Sequence, residues 1–191
     1  MQTEASTQIL ANETLQTIYQ RRAIRKYRHE AVDKVLIEQV IDAGRMAPSA
    51  INKQPWKFYV LTRKIDILSF SVEIEKVIED TTNLAHRSES STTENFVFHD
   101  APVVIFITAP KDNEWAPLDI GMCAENIMLA AKSLGLDTCP VGLAKFVEKT
   151  KIYGKLNIPE TEKVMLAVIM GYGDELAEPK ERKRDNAVFI S

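Results

Sequence analysis

Apolar residues recur at helical spacing in two stretches near the N-terminus. Leu15, Ile18 and Tyr19 follow Asn12, whose side chain suits a helix N-cap, so a first helix is expected to end near Arg22. Asp33 opens a second, in which Leu36, Ile37, Val40, Ile41, Gly44 and Ala47 form one stripe until Pro48 forbids the next turn. Residues 48–55 are therefore a loop. Residues 56–62 then read as a strand, residues 66–80 as a helix, and residues 81–95 as a polar connection rich in Ser and Thr.

The run at residues 103–108 is apolar on both alternating faces, the pattern of a strand in a sheet covered by helices on each side. Residues 119–134 form a helix ended by Gly135, with so little polar face that it must lie centrally or against a second subunit. A short strand at 138–141, a helix near 146–156 and an apolar strand at 164–170 complete an α+β pattern. Leu156 and its neighbours at 155–159, with Met122 and Met128, are assigned to the core. The tail ends in Ala187-Val188-Phe189-Ile190, apolar residues with no element of their own chain to follow, which are expected to pair with another subunit as an added strand at a sheet edge.

Composition narrows the class. At 191 residues, 45% of them hydrophobic and 27% charged, residues 1–191 are expected to form one domain with an ordinary core. The longest apolar run is far shorter than the roughly 20 residues that span a bilayer. The first thirty residues lack a secretory signal and Cys123 and Cys139 are too few for a disulfide framework, so a cytoplasmic location with no membrane attachment is expected. A net charge of -3 does not suit a general nucleic-acid binder.

The positive charge is nevertheless uneven. Arg21, Arg22, Arg25, Lys26 and Arg28 crowd one helix end, and Lys180, Arg182, Lys183 and Arg184 form a second group. Two readings fit the first group: a solvated charged face, or guanidinium forks that grip phosphate oxygens in pairs, with Ile24 and Tyr27 anchoring the stretch to the core. The 48–55 loop is more distinctive. Two prolines stiffen it while Ser49, Asn52 and Gln54 offer hydroxyl and amide groups, and amides can meet the mixed donor and acceptor edge of a flavin ring.

Arg21-Arg22-Ala23-Ile24-Arg25 followed by Ala47-Pro48-Ser49-Ala50-Ile51-Asn52-Lys53-Gln54-Pro55-Trp56 resembles the FMN-dependent nitroreductase family. The likeness continues through the helix at 119–136, Cys139-Pro140-Val141-Gly142-Leu143, Gly171-Tyr172-Gly173-Asp174 and Lys180-x-Arg182, leaving only residues 81–95 without a match. That resemblance implies a three-layer α+β fold with a central mixed sheet flanked by helices, in an intertwined homodimer that exchanges its C-terminal strand. It implies FMN as cofactor, held at phosphate and ribityl chain by Arg21, Arg22, Ala23, Arg25, Lys180 and Arg182. Pro48, Ser49, Ala50, Asn52 and Gln54 of the other subunit would line the ring, and Pro140, Val141, Gly142 and Leu143 would pass beside its hydride-carrying N5. Ala23 stands where the family often has Ser. The implied reaction takes a hydride from NADH or NADPH and delivers it to a nitroaromatic, quinone or related small acceptor in a ping-pong cycle; the alternative is a flavin-binding storage or sensor module without turnover.

Other chemistry is not supported. Gly171-Tyr172-Gly173 lacks the third glycine of a dinucleotide fingerprint, and His29, His86 and His99 have no partners at metal-ligand spacing. No Ser-His-Asp arrangement or nucleophile elbow makes Ser49 a nucleophile. With the hydride carried by the cofactor, no catalytic side chain and no metal site is expected.

Overall fold

Helix α1 (Glu13–Gln20) begins where Asn12 accepts a hydrogen bond from the Leu15 N–H at 3.0 Å, and α2 (Lys34–Arg45) where Asp33 accepts one from Val35 at 2.8 Å. Each cap satisfies a backbone donor that the first turn leaves free. α2 buries Ile37, Val40, Ile41 and Gly44, the expected stripe. α1 buries nothing, and its Ile18 and Tyr19 are exposed. The computed structural model describes residues 12–81, 95–183 and 185–190, so most of the polar 81–95 connection and His86 lie outside the described residues.

The remaining elements are β1 (Lys57–Leu61), α3 (Lys64–Thr81), β2 (Val103–Pro110), α4 (Ala116–Ser133), β3 (Asp137–Val141) and β4 (Glu162–Gly171). The sheet runs β1-β2-β4-β3, with all three pairs antiparallel. Its parallel component is the bridge between Ala23 and Thr138, so the sheet is mixed only at its β3 edge.

β2 is the central spine. Val103 through Ala109 are each 1% exposed or less, and the strand's alternation divides them between two layers. Val103, Ile105, Ile107 and Ala109 pack with α2 and α4, where Ile120, Cys123, Ala124 and Ile127 are buried. Val104 and Phe106 pack with α3, and Phe106 meets the rings of Phe70 and Phe98 edge-on at 6.2 and 5.8 Å. Helices thus cover both faces, the three layers that the run of apolar residues implied.

Two expectations change. α4 starts at Ala116 rather than Asp119, because Pro117 sits in the first turn, where its missing N–H costs nothing. In place of an α-helix near 146–156 the chain makes two 3-10 segments, Gly142–Lys149 and Tyr153–Leu156. Ala144, Val147, Thr150 and Leu156 are buried and Tyr153 is half-buried, a spacing of three that suits three residues per turn rather than 3.6. Leu156 and Met128 belong to the core as expected, but Met122 and Lys155 do not.

Glycine matters most where α2 crosses α4. A Cβ on Gly44 would lie 2.7 Å from Ile127 Cγ1, so the two helices approach only because that atom is absent. At the other end of the chain, Val188, Phe189 and Ile190 are 86%, 95% and 96% exposed, with no helix or strand beyond Gly171 among the described residues.

Candidate functional site

Residues 23–28 and 172–175 meet at the β3 edge. Arg21 closes α1, its N–H donating to the Thr17 carbonyl at 2.9 Å, and the backbone then runs extended. Ile24 N–H donates to the Thr138 carbonyl at 3.0 Å, Arg28 N–H to that of Tyr172 at 2.9 Å, and Asp174 N–H to that of Lys26 at 2.9 Å. Residues 23–28 are therefore a strap joining β3 to the segment that follows β4. Ile24 and Tyr27 point inward and are buried, and the Tyr27 hydroxyl donates to the Ile24 carbonyl at 2.6 Å. Arg25, Lys26 and Arg28 are left exposed.

The arginines spend their donors differently. Arg22 Nη1 donates to the carbonyls of Tyr19 and Arg21, each at 2.7 Å, and so caps the end of α1. Arg21 Nε lies 3.3 Å from the Glu125 carboxylate of α4, yet it is buried and makes no hydrogen bond among the described residues. The Arg25 backbone N–H is taken by the Glu175 carboxylate, and its guanidinium stays exposed. Burial raises the Cys139 thiol's pKa, and the fields of Arg25 and Arg21 oppose that rise. Thr138 Oγ1, beside Ala23, is buried without a hydrogen-bond partner among the described residues.

The same edge carries Pro140 to Leu143, where β3 passes into a 3-10 segment. Pro140 and Gly142 are exposed, Leu143 is half-buried and Val141 is buried. The structure thus brings the strap carrying Arg21, Ala23 and Arg25 together with the Thr138 to Pro140 stretch of β3. Lys180 and Arg182 are exposed in the tail, and nothing among the described residues ties them to Arg21 or Arg25.

Residues 48–55 form a separate, internally braced unit between α2 and β1. Ser49 Oγ accepts from the Gln54 N–H at 2.9 Å, Gln54 Nε2 donates to Asn52 Oδ1 at 3.1 Å, and Ala50–Asn52 make a 3-10 turn. Ile51, Asn52 and Gln54 take positive φ values of 54°, 54° and 45°. For a β-branched residue such as Ile51 that geometry is strained, at a cost on the order of 1–3 kcal/mol. One long-range bond holds the unit to α4, Ala50 N–H donating to Asp119 Oδ1 at 3.1 Å, while Asn126 Nδ2 donates to the Ala43 carbonyl at 3.1 Å and ties the end of α2 to the same helix.

Several polar residues were not visible as site candidates. Glu175 and His99 stand with Arg25; burial, and secondarily Arg25, lower the His99 pKa and favour its neutral form. Asp119 is 2% exposed in the first turn of α4. Glu162, at the start of β4, receives Lys57, the Thr108 hydroxyl at 2.7 Å and the Tyr59 hydroxyl at 3.5 Å. Burial pushes this carboxyl up, but the hydrogen bonds from Lys57 and Thr108 outweigh it and hold Glu162 below its ordinary value. Its partners come from strands far away in sequence, so only a buried charge at the end of an apolar run could have signalled it. Among the described residues, no group of three His, Cys, Asp or Glu side chains could hold a metal ion, and no helix is long and apolar enough to cross a membrane.

The model of the nitroreductase family matches residues 18–172, which takes in the strap, the braced loop and the whole sheet. The chain belongs to the nitroreductase family. Among curated nitroreductase relatives, the 4-nitrobenzoate reductase of Pseudomonas putida is 28% identical over 192 residues, covering 82% of this chain and 84% of that one. A chloronitrobenzene nitroreductase of Comamonas testosteroni is 27% identical, with 82% and 85% covered. In three dimensions, a nitroreductase of Bacteroides fragilis solved with bound FMN superposes with a TM-score of 0.84 at 25% identity, covering 94% of this chain and all of that one. As a nitroreductase-family enzyme, the chain is an oxidoreductase, and its cofactor is sought at the strap and the braced loop.

Proposed function

We propose that this enzyme is an FMN-dependent oxidoreductase that takes reducing equivalents from NADH or NADPH and passes them to nitroaromatics, quinones or related electron-poor acceptors. The observation that carries the reading is the convergence of the strap carrying Arg21, Ala23 and Arg25 with the Thr138 to Pro140 stretch of β3 and the segment after β4. These groups fit a phosphorylated flavin, because Arg21 Nε and Thr138 Oγ1 are left without hydrogen-bond partners among the described residues. Buried polar groups are rarely orphaned in a finished fold, so their donor capacity marks a place for an acceptor. The B. fragilis relative, solved with FMN, supports the choice of ligand.

Bound FMN supplies hydride acceptance and return at N5. Arg21, Arg22 and Arg25, joined by Lys180 and Arg182, hold the phosphate and ribityl chain. Each charge-assisted hydrogen bond is worth about 1.5–3 kcal/mol net, so three or four supply much of the roughly 8 kcal/mol that micromolar binding needs. Pro48, Ser49, Ala50, Asn52 and Gln54 of a second subunit line the ring and exclude water. Pro140, Val141, Gly142 and Leu143 pass beside it and present backbone amides. No side chain acts as nucleophile or metal ligand in this scheme, and the protein orients the two reactants in turn.

A homodimer completes the site. α1 exposes Ile18 and Tyr19, the start of α4 exposes Trp115, Leu118 and Met122, and the loop exposes Ile51, a large apolar surface for a free monomer. β1 is a sheet edge, whose outer side can take Ala187 to Ile190 of the second copy as an added strand.

Purified protein should show flavin absorbance or acquire it on incubation with FMN, and should oxidise NADH or NADPH steadily with menadione or nitrofurazone. Protein that stays colourless with FMN overturns the flavin assignment. Protein that binds FMN but gives no nicotinamide oxidation with either acceptor is a binding module instead.

A further inference from the structure

The braced loop at 48–55 has one direct tie to α4, and its acceptor is unusual. Asp119 is 2% exposed, its Oδ1 takes the Ala50 N–H at 3.1 Å, and its Oδ2 is buried with no hydrogen-bond partner among the described residues. A buried carboxylate with half its acceptor capacity idle is costly, and side chains of similar size would pack there without the charge. The position lowers that cost: Asp119 stands in the first turn of α4, where the helix dipole favours negative charge. The bond it makes falls on the 3-10 turn whose Ile51 and Asn52 hold positive φ. Strained backbone of this kind persists only when the surroundings over-determine it. On the loop side the constraints are Ser49 Oγ to Gln54 and Gln54 to Asn52, all internal to the loop, so they fix its shape and not its place. Asp119 fixes its place.

We propose that Asp119 is the positioning residue of the flavin-lining loop, which anchors the Ala50 N–H on the first turn of α4 and thereby sets where Ser49, Asn52 and Gln54 meet the cofactor. The role rests on the flavin reading above. In this role Asp119 acts through the loop, by its bond to the Ala50 N–H. Removing its acceptor releases the turn to relax out of the left-handed region, and the ring-facing groups lose their common frame. The charge itself is not required for the bond, because an Asn at this position keeps an oxygen for Ala50.

The test is FMN titration of flavin-free wild type, Asp119→Ala and Asp119→Asn by flavin fluorescence, with visible circular dichroism of the loaded proteins and thermal melting of the unloaded ones. Asp119→Ala is expected to raise the FMN dissociation constant by about tenfold or more and to change the flavin's visible dichroism, while Asp119→Asn stays within about threefold of wild type. Melting of the unloaded Asp119→Ala protein should move much less than its FMN affinity does. Where Asp119→Ala does not fold, Ala50→Pro removes the donor from the other side; Ser49 is extended at φ -145° and ψ 156°, which a following proline tolerates. Ala50→Pro is then expected to weaken FMN binding to the same extent. A foldable variant that binds FMN within about twofold of wild type, with the wild-type dichroism, overturns the role alone. Wild type that takes up no FMN overturns the flavin reading and this role with it.

Discussion

The Arg21 guanidinium faces Glu125 at 3.3 Å with no hydrogen bond from Nε among the described residues, whereas Arg22 next to it spends its Nη1 on capping α1. The two adjacent arginines therefore separate by experiment. Arg21→Ala should lower FMN affinity by about tenfold to a hundredfold in a fluorescence titration. Its melting temperature should barely move, because a partly exposed ion pair contributes at most about 1 kcal/mol. Glu162 behaves in the opposite way, being remote from the strap and important to stability. Its carboxyl titrates below the ordinary carboxylate range in the fold, so its contribution is complete above that range and is lost as pH falls through the lowered value. Lys57, raised by the same hydrogen bond, keeps its share until pH rises through its own elevated value. Glu162→Gln should cost about 1–3 kcal/mol at neutral pH and flatten the acid limb of a plot of melting temperature against pH, as read by differential scanning calorimetry.

Elements were legible where local chemistry decides them. Asn12 and Asp33 announce their helices, Pro48 ends α2, and the Val103 run declares a strand covered on both sides. Legibility failed where a three-residue period was taken for a 3.6-residue one. Ala144, Val147, Thr150, Tyr153 and Leu156 do carry the 3-10 spacing, but the break at Thr150 to Ile152 and the left-handed Asn157 that ends the segment obscure it. It failed again where a partner lies far along the chain, as with Ala50 and Asp119, or Glu162 and Thr108. The α2–α4 crossing offers a test at this scale. Ala at Gly44 would gain about 1 kcal/mol of helix propensity, but its Cβ meets the inner part of Ile127 at 2.7 Å, and overpacking costs about 1–3 kcal/mol. Gly44→Ala should therefore melt lower than wild type, by about 2–8 °C at most.

In the proposed dimer the site is incomplete in one copy, because the loop at 48–55 and the strap at 21–28 that meet one cofactor belong to different copies. Each loop serves the strap of the other copy. A chain ended at residue 185 should sediment as a monomer or a weakened dimer and lose most of its FMN affinity; a truncated chain that stays dimeric and flavin-loaded would show that the tail is dispensable. That β1 stands at the edge of the sheet was not visible in sequence, because strand order is a property of contacts rather than of the run of residues. That residues 23–28 would lie beside the segment after β4 was not legible from the residues alone, and among the described residues nothing ties Lys180 and Arg182 to that place.

The two sulfhydryls lie in opposite layers of the molecule, Cys123 against α2 and Cys139 against the α3 side. Burial pushes Cys123 up to about 12 and raises Cys139 as well, so both stay protonated at neutral pH. Quinones alkylate thiolates, and this fold offers neither sulfur for Michael addition. Ellman's reagent should label neither cysteine in the native protein and both in guanidinium, and prolonged turnover with a quinone should leave the chain's mass unchanged.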